Sequence, residues 1–252
     1  MNHMVDLNAD LGEDESVAGM ARDIAIMDIV SSCNIACGGH AGSIKTMRAM
    51  LTAAKEKNIS AGAHPSYPDR ANFGRRSMDI HPTALTASLW EQLATIKAIA
   101  AETAINLTHL KPHGALYNDA QDKEALADIL VEIARTEKLA LVGMAGSVIH
   151  QKANKSGVRF IAEAFIDRRY TDRSRLQSRT ENGAVIADDA DRIEQGLSLA
   201  QGKAIATAGE QSVIIHAETL CLHSDSDGAL ATAKVIRRAL ERENISIAAP
   251  TA

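Results

Sequence analysis

Short apolar runs alternate with longer amphipathic stretches along the chain. Strand-like runs are predicted at 4–8, 28–32, 59–63, 107–110, 139–143, 159–163 and 213–216. Between them, apolar residues recur at helical spacing. Ile44, Met47, Leu51 and Ala54 form one such face, with Ser43 placed to cap it. Pro82 suits a first helical position, and Leu85, Leu89, Leu93, Ile96 and Ala100 continue as a long stripe. Leu126, Ile129, Leu130 and Ile133 make a third face, Ile193, Leu197 and Ala200 a fourth, and Ala229, Ala233, Ile236 and Leu240 the last. No linker rich in Pro, Gly or Ser interrupts this order, and no segment repeats. The pattern predicts one α/β domain over residues 1–252, built on a parallel sheet. A length of 252 residues matches a (β/α) barrel, with a doubly wound open sheet as the competing architecture.

Polar residues able to do chemistry gather where the predicted strands end. Asn8, Asp10 and Glu13 follow the first, and Asn34 and His40 the second. His64 ends the third, Lys111 and His113 the fourth. Glu163, Asp167, Arg168 and Arg169 cluster at the sixth, while His223 and Asp225 close the last. In a parallel barrel these positions share the C-terminal rim, where sites are assembled from several strands. Each has a plain structural reading when taken singly: Asp10 as a turn or helix cap, Glu163 in an ion pair, any one His as a hydrogen-bonded side chain. Jointly, Asp10, His40, His64 and His113 offer one carboxylate and three imidazoles, a donor set suited to a divalent metal. Such a site leaves room for a water whose pKa falls toward neutrality, ready to attack a carbonyl.

Composition narrows the classes of function. The chain is 46 % hydrophobic and 23 % charged with a formal net charge of -5, the profile of a folded soluble protein. That charge gives no reason to expect nucleic acid, and aromatics at 3 % offer little for stacking on bases. No apolar run approaches the roughly 20 residues of a membrane span. The opening residues lack a basic and apolar signal segment, so a cytoplasmic location is expected. Cys33, Cys37 and Cys221 are odd in number and fit reduced, buried core residues. Glycine-rich dinucleotide and phosphate loops are absent, as is the Gly-x-Ser-x-Gly elbow. Any nucleotide is therefore bound elsewhere or held unconventionally.

The segments Asp6-Leu7-Asn8-Ala9-Asp10-Leu11-Gly12-Glu13, Asn34-Ile35-Ala36-Cys37-Gly38-Gly39-His40-Ala41-Gly42, Gly62-Ala63-His64-Pro65-Ser66-Tyr67-Pro68-Asp69, Phe73-Gly74-Arg75-Arg76 and Lys111-Pro112-His113-Gly114-Ala115-Leu116-Tyr117-Asn118 together resemble the LamB/YcsF family. The likeness continues through Glu163-Ala164-Phe165-Ile166-Asp167-Arg168-Arg169-Tyr170 and Cys221-Leu222-His223-Ser224-Asp225. Departures occur at Ala9, Gly39, Ser43 and Ser224, and over residues 14–19 and 170–176.

The resemblance implies an irregular (β/α) barrel of the glycoside hydrolase/deacetylase type. It implies opening of the 5-oxo-L-proline lactam to L-glutamate, coupled to ATP hydrolysis, in a complex with subunits B and C. Relatives of that barrel bind a divalent metal through Asp and His. In this reading Lys111 and Arg168 stabilise anionic charge, and Glu163, Asp167 or Asp225 moves the proton. Asp10 and His113 act in catalysis as well as metal ligation, while Asn8, Glu13, Asn34, Arg75, Tyr117 and His223 bind substrate. Two alternatives stay open: a stand-alone metal-dependent deacetylase or amide hydrolase, and a non-catalytic ligand-binding partner of an amidolyase complex. A homo-oligomer is compatible with either.

Overall fold

The computed structural model describes residues 4–209, 211–222 and 228–251. The first half of the chain runs β1 (Met4–Leu11), α1 (Val17–Ile26), β2 (Ser32–Ala36), α2 (Ile44–Glu56), β3 (Ser60–His64), α3 (Pro82–Thr103), β4 (Leu107–Leu110), α4 (Gly114–Ala120) and α5 (Glu124–Glu137). The second half runs β5 (Ala140–Gly143), α6 (Val148–Lys155), β6 (Phe160–Phe165), α7 (Asp189–Ala200), β7 (Ala204–Ala206), β8 (Ser212–Ile214), β9 (Thr219–Leu222), α8 (Ala229–Arg242) and β10 (Ser246–Ile247). Strands β1 to β6 pair in sequence order, β6 pairs with β9, and β9 returns to β1, all in parallel. A seven-stranded (β/α) barrel results. The open-sheet alternative is excluded by that closure. Strand β10 adds to the N-terminal end of β1, at Met4 and Val5. Among the described residues no helix is long and apolar enough to cross a membrane.

Local chemistry explains the helix starts. Ser43 caps α2 by accepting from the Thr46 amide, and Thr46 returns the bond to the Ser43 amide. Pro82 opens α3, where its missing N–H costs nothing. The helices lie outside the barrel and pack on the outward faces of the strands. Along β1 those outward residues are Val5, Leu7, Ala9 and Leu11, all in the main apolar core.

The inward residues differ in kind. Asn8 of β1 reaches Glu163 of β6, and Asn34 of β2 reaches His109 of β4, bonds that cross the barrel between strands that are not neighbours. Only Ala140, Val142 and Ile161, on β5 and β6, form a small apolar cluster of their own. The barrel lumen is therefore largely a hydrogen-bonded polar core. Most of its buried groups are hydrogen-bonded to one another, as a low-dielectric interior demands.

Two predicted strands are corrected. The run 28–32 is mostly the connection into β2, which begins at Ser32 because the lumen takes Ser32 and Asn34 as its inward residues. The run 213–216 supplies β8, which pairs antiparallel with β7 in a hairpin outside the barrel. The closing barrel strand is β9, and helices α1, α4 and α6 also went unforeseen. The predicted site residues His223 and Asp225 lie outside the described residues.

Candidate active site

At the C-terminal ends of the strands lies a cavity of about 710 Å³. Asp10, Glu13, His64, Lys111, His113 and Tyr117 line its inner part, and Arg75, Arg168, Arg175 and Arg179 line it further out. Asn8, Asn34 and Glu163 do not line it. They sit in the lumen, where they hold the residues that do. Asp167, at the end of β6, does not line it either.

Three histidines and a carboxylate converge there. One donor atom each from Glu13, His40, His64 and His113 lies within 4.8 Å of the others. The ring orientations follow from their outer bonds. His64 Nδ1 is 2.7 Å from the Lys111 carbonyl oxygen, so that nitrogen donates and Nε2 is turned toward the cluster. His113 Nε2 is 3.0 Å from the Phe73 carbonyl, so its Nδ1 keeps the lone pair. The two nitrogens turned toward the cluster, His64 Nε2 and His113 Nδ1, stand 3.0 Å apart. Glu13 Oε1 is 3.4 Å from His113 Nδ1, and Asp10 Oδ2 is 3.4 Å from His64 Nε2. Glu13 Oε1 also accepts from His40 Nε2 at 3.0 Å, and the His40 ring stacks on His113 with centroids 3.6 Å apart. Burial, reinforced by the neighbouring imidazoles, holds His40 and His113 well below the usual histidine pKa.

These observations fit a cation. Neutral imidazoles are the form that ligates, as His40 and His113 are held. Imidazole nitrogens converging beside two carboxylates make a donor set suited to a divalent ion. The backbone makes room for the rings as well. A Cβ on Gly74, which adopts φ +61°, would come 2.9 Å from His40 Cβ and 3.1 Å from His113 Cδ2. Sequence reasoning placed Asp10 in this cluster and Glu13 among the substrate contacts. In the fold Glu13 contributes the clustered oxygen, and Asp10 bridges from the histidines to Lys111.

Lys111 is the second feature. Its ammonium is 2.7 Å from Glu163 Oε1 and 2.9 Å from Asp10 Oδ1, with Asn8 Oδ1 and Cys221 Sγ each at 3.3 Å. Burial alone would lower its pKa, but the surrounding carboxylates outweigh burial and hold it well above the ordinary lysine value. It is a permanent positive charge on the cavity floor. The Cys221 thiol beside it is pushed up by burial, so it is no nucleophile. All three cysteines are free and buried, as expected.

Behind Asp10 runs a directional chain that sequence reasoning missed. Asn34 Nδ2 donates to Asp10 Oδ1 and Asn8 Oδ1, each at 2.8 Å. Asn34 Oδ1 must then accept, and His109 Nε2 donates to it at 2.8 Å. His109 Nδ1 in turn accepts from Thr108 at 2.8 Å. Burial and the nearby Lys111 charge push the His109 pKa down to about 3, so the ring stays neutral. The ring lies over Gly62, where a Cβ would come within 2.2 Å of it. Two signals pointed this way: His109 and Lys111 are two residues apart and share the inward face, and Gly62 interrupts a strand.

Tyr117 of α4 completes the floor. Its hydroxyl and Glu163 Oε2 are both buried and interact electrostatically, and among the described residues neither has another hydrogen-bond partner. Burial first, then the Glu163 charge, keeps the phenol protonated by raising its pKa well above the usual value. Arg168 donates from Nη2 to the Gln177 carbonyl at 2.6 Å, which ties the end of β6 to the loop that overhangs the cavity.

With this geometry in place, known proteins offer comparison. The profile of the LamB/YcsF family matches residues 5–252. A protein of Paracidovorax citrulli named as the A subunit of 5-oxoprolinase is 40 % identical over 245 residues, covering 96 % of this chain and 98 % of that one. An Agrobacterium fabrum protein named as 5-oxoprolinase A subunit 1 is 41 % identical over 247 residues, covering 96 % of each. A crystal structure titled lactam utilization protein, from Thermus thermophilus, superposes with a TM-score of 0.88 at 32 % identity. It covers 98 % of this chain and 100 % of that one. Matches that run the length of the barrel, through every strand that supplies the cavity, make this chain a member of the LamB/YcsF family.

Proposed function

We propose that this chain is the A subunit of an ATP-dependent 5-oxoprolinase, opening the lactam of 5-oxo-L-proline to L-glutamate together with subunits B and C. The observation that carries this reading is the pair of facing nitrogens, His64 Nε2 and His113 Nδ1, on the wall of a cavity floored by the Lys111 ammonium. The relatives' names supply the substrate. The site supplies reasons why an amide would react there.

An unstrained five-membered lactam is a poor electrophile, which is the physical reason for coupling its opening to ATP. The chain holds the lactam, or its O-phosphorylated form, in the cavity. Glu13, His40, His64 and His113 would hold a divalent metal ion, with Asp10 beside them. When bound, such an ion supplies a water acidified enough to attack near neutral pH. Lys111 faces the carbonyl oxygen and stabilises the negative charge that develops as water adds to the carbon. The ring C–N bond then breaks as the departing nitrogen takes a proton from the added water. Where the amide oxygen carried a phosphoryl group, the resulting acyl phosphate is hydrolysed by a second water to glutamate and inorganic phosphate. Tyr117 lines the cavity with its ring, while its protonated hydroxyl is buried against Glu163 and holds the floor in place. Glu163 itself acts from the lumen, through Tyr117 and Lys111. His109 and Asn34 hold Asp10 in a fixed orientation.

Glutamate release from 5-oxo-L-proline by this chain mixed with subunits B and C and ATP tests the reading, with each component omitted in turn. Release that requires every component supports it. Equal release when this chain is left out, or release of acetate from N-acetylated sugars by the chain alone without ATP, would replace it.

A further inference from the structure

Arg168 is only 5 % exposed and lines the cavity. Its Nη2 donates to the Gln177 carbonyl at 2.6 Å and its Nε to the Ala184 carbonyl at 3.4 Å. Neither carbonyl cancels its charge. Among the described residues no carboxylate oxygen lies within the 4.0 Å of an ion pair with this guanidinium. The charge of its chain neighbour Asp167 offsets part of that positive charge. A buried charge in that position is costly unless an anion joins it.

The surroundings sharpen the point. Burial pushes the Arg168 pKa down to about 10, and the Arg179 and Arg75 guanidiniums add to the effect. All three arginines line the same cavity. Two of the five N–H groups of Arg168 are spent on main-chain carbonyls, which leaves three for a ligand.

We propose that Arg168, with Arg179 and Arg75 around it, seats an anionic substituent of the cyclic-amide substrate and thereby selects charged lactams over neutral ones. The shared chemistry is an oxyanion, either the ring carboxylate or a phosphoryl group on the activated amide. This inference rests on the lactam-opening reading for its substrate. Arg168 binds the anion through N–H groups that the fold has already ordered, so little side-chain entropy is lost on binding.

The test compares 5-oxo-L-proline with 2-pyrrolidinone, the same ring without its carboxylate, in the assembled complex with ATP. The intact chain should prefer the acid by roughly 100-fold in kcat/KM, as sites built on buried polar groups do. Arg168→Met should collapse that preference, mainly through a rise in KM for the acid of about 30-fold. Arg179→Gln keeps both main-chain braces of Arg168 and should raise the same KM about fivefold, which guards against a folding defect. Loss of kcat on both substrates alike, with the preference intact, would overturn the proposal.

Calorimetry on the isolated chain separates this from the wider reading. If the complex opens no lactam, the function fails. Stronger binding of 5-oxo-L-proline or inorganic phosphate than of 2-pyrrolidinone, abolished by Arg168→Met, would still uphold the anion seat. Preference for the acid identifies the carboxylate, and binding of inorganic phosphate identifies the phosphoryl group. Indifference to both anions in the intact chain overturns it.

Discussion

His64 Nε2 and His113 Nδ1 face each other across 3.0 Å, each ring turned that way by the bond its other nitrogen makes to a main-chain carbonyl. With Glu13 and His40 beside them they form a donor set that a divalent cation would complete. A divalent ion should therefore stabilise the chain by about 2.7 kcal/mol at a hundredfold excess over its Kd. Thermal unfolding with Zn²⁺, Mn²⁺, Co²⁺ and Ni²⁺ reads this as a rise in Tm, which His64→Ala and His113→Ala should each remove. No rise with any of these ions would count against the cluster.

Lys111 links Asp10 to Glu163 in the buried lumen, with both carboxylates dependent on its charge. Lys111→Met leaves two buried carboxylates facing each other. It should lower stability by about 3–5 kcal/mol in urea unfolding. Lys111→Met combined with Glu163→Gln removes one of those charges and should recover part of the loss. Additive losses in the double variant would mean that the three groups do not act together.

The contact of His109 with Gly62 predicts a specific non-additivity. Gly62→Ala forces a Cβ into the ring and should cost about 1–3 kcal/mol. In a His109→Ala background the ring is gone, so the same substitution should cost much less. Equal costs in both backgrounds would show that the ring is not seated on Gly62.

His109 also makes stability depend on pH. Its folded pKa of about 3 lies below the ordinary 6.5, so the unfolded chain binds one more proton than the folded chain between those values. Its contribution is complete above pH 6.5 and is lost as the pH falls toward 3. Each group of this kind changes stability by about 1.4 kcal/mol per pH unit within that window. His109→Gln keeps a donor toward Asn34 but cannot titrate. Urea unfolding of this variant across the acid range should give a slope shallower by about that amount, and an unchanged slope would contradict the neutral assignment.

The sequence revealed the barrel through its outward faces. Residues such as Leu7, Leu51 and Leu93 pack between strands and helices, so their periodicity survives in the chain. Inward faces were harder to read, because this lumen is polar. Ser32 and Asn34 hid the true start of β2 behind the more apolar Ile29 and Val30. Val213 and Ile214 looked more strand-like than Thr219 to Leu222, yet the latter close the barrel, with Thr219 bonded to Asp6 and Asn8. The rim residues Asp10, His64, Lys111 and His113 were legible because strand ends in a parallel barrel share one face. The spacing of His109 from Lys111 marks it as inward-facing. Its partner Asn34 and the layering of Asn8, Asn34 and Glu163 beneath the cavity depend instead on cross-barrel hydrogen bonds, which no spacing along one strand encodes.

The most direct test measures bound metal and glutamate release on the same preparations of intact and His113→Ala chain, each assembled with subunits B and C and supplied with ATP. The account predicts about one divalent ion per intact chain, and joint loss of ion and glutamate release in His113→Ala while the complex still assembles. Glutamate release at the intact rate from a chain carrying no metal would contradict it.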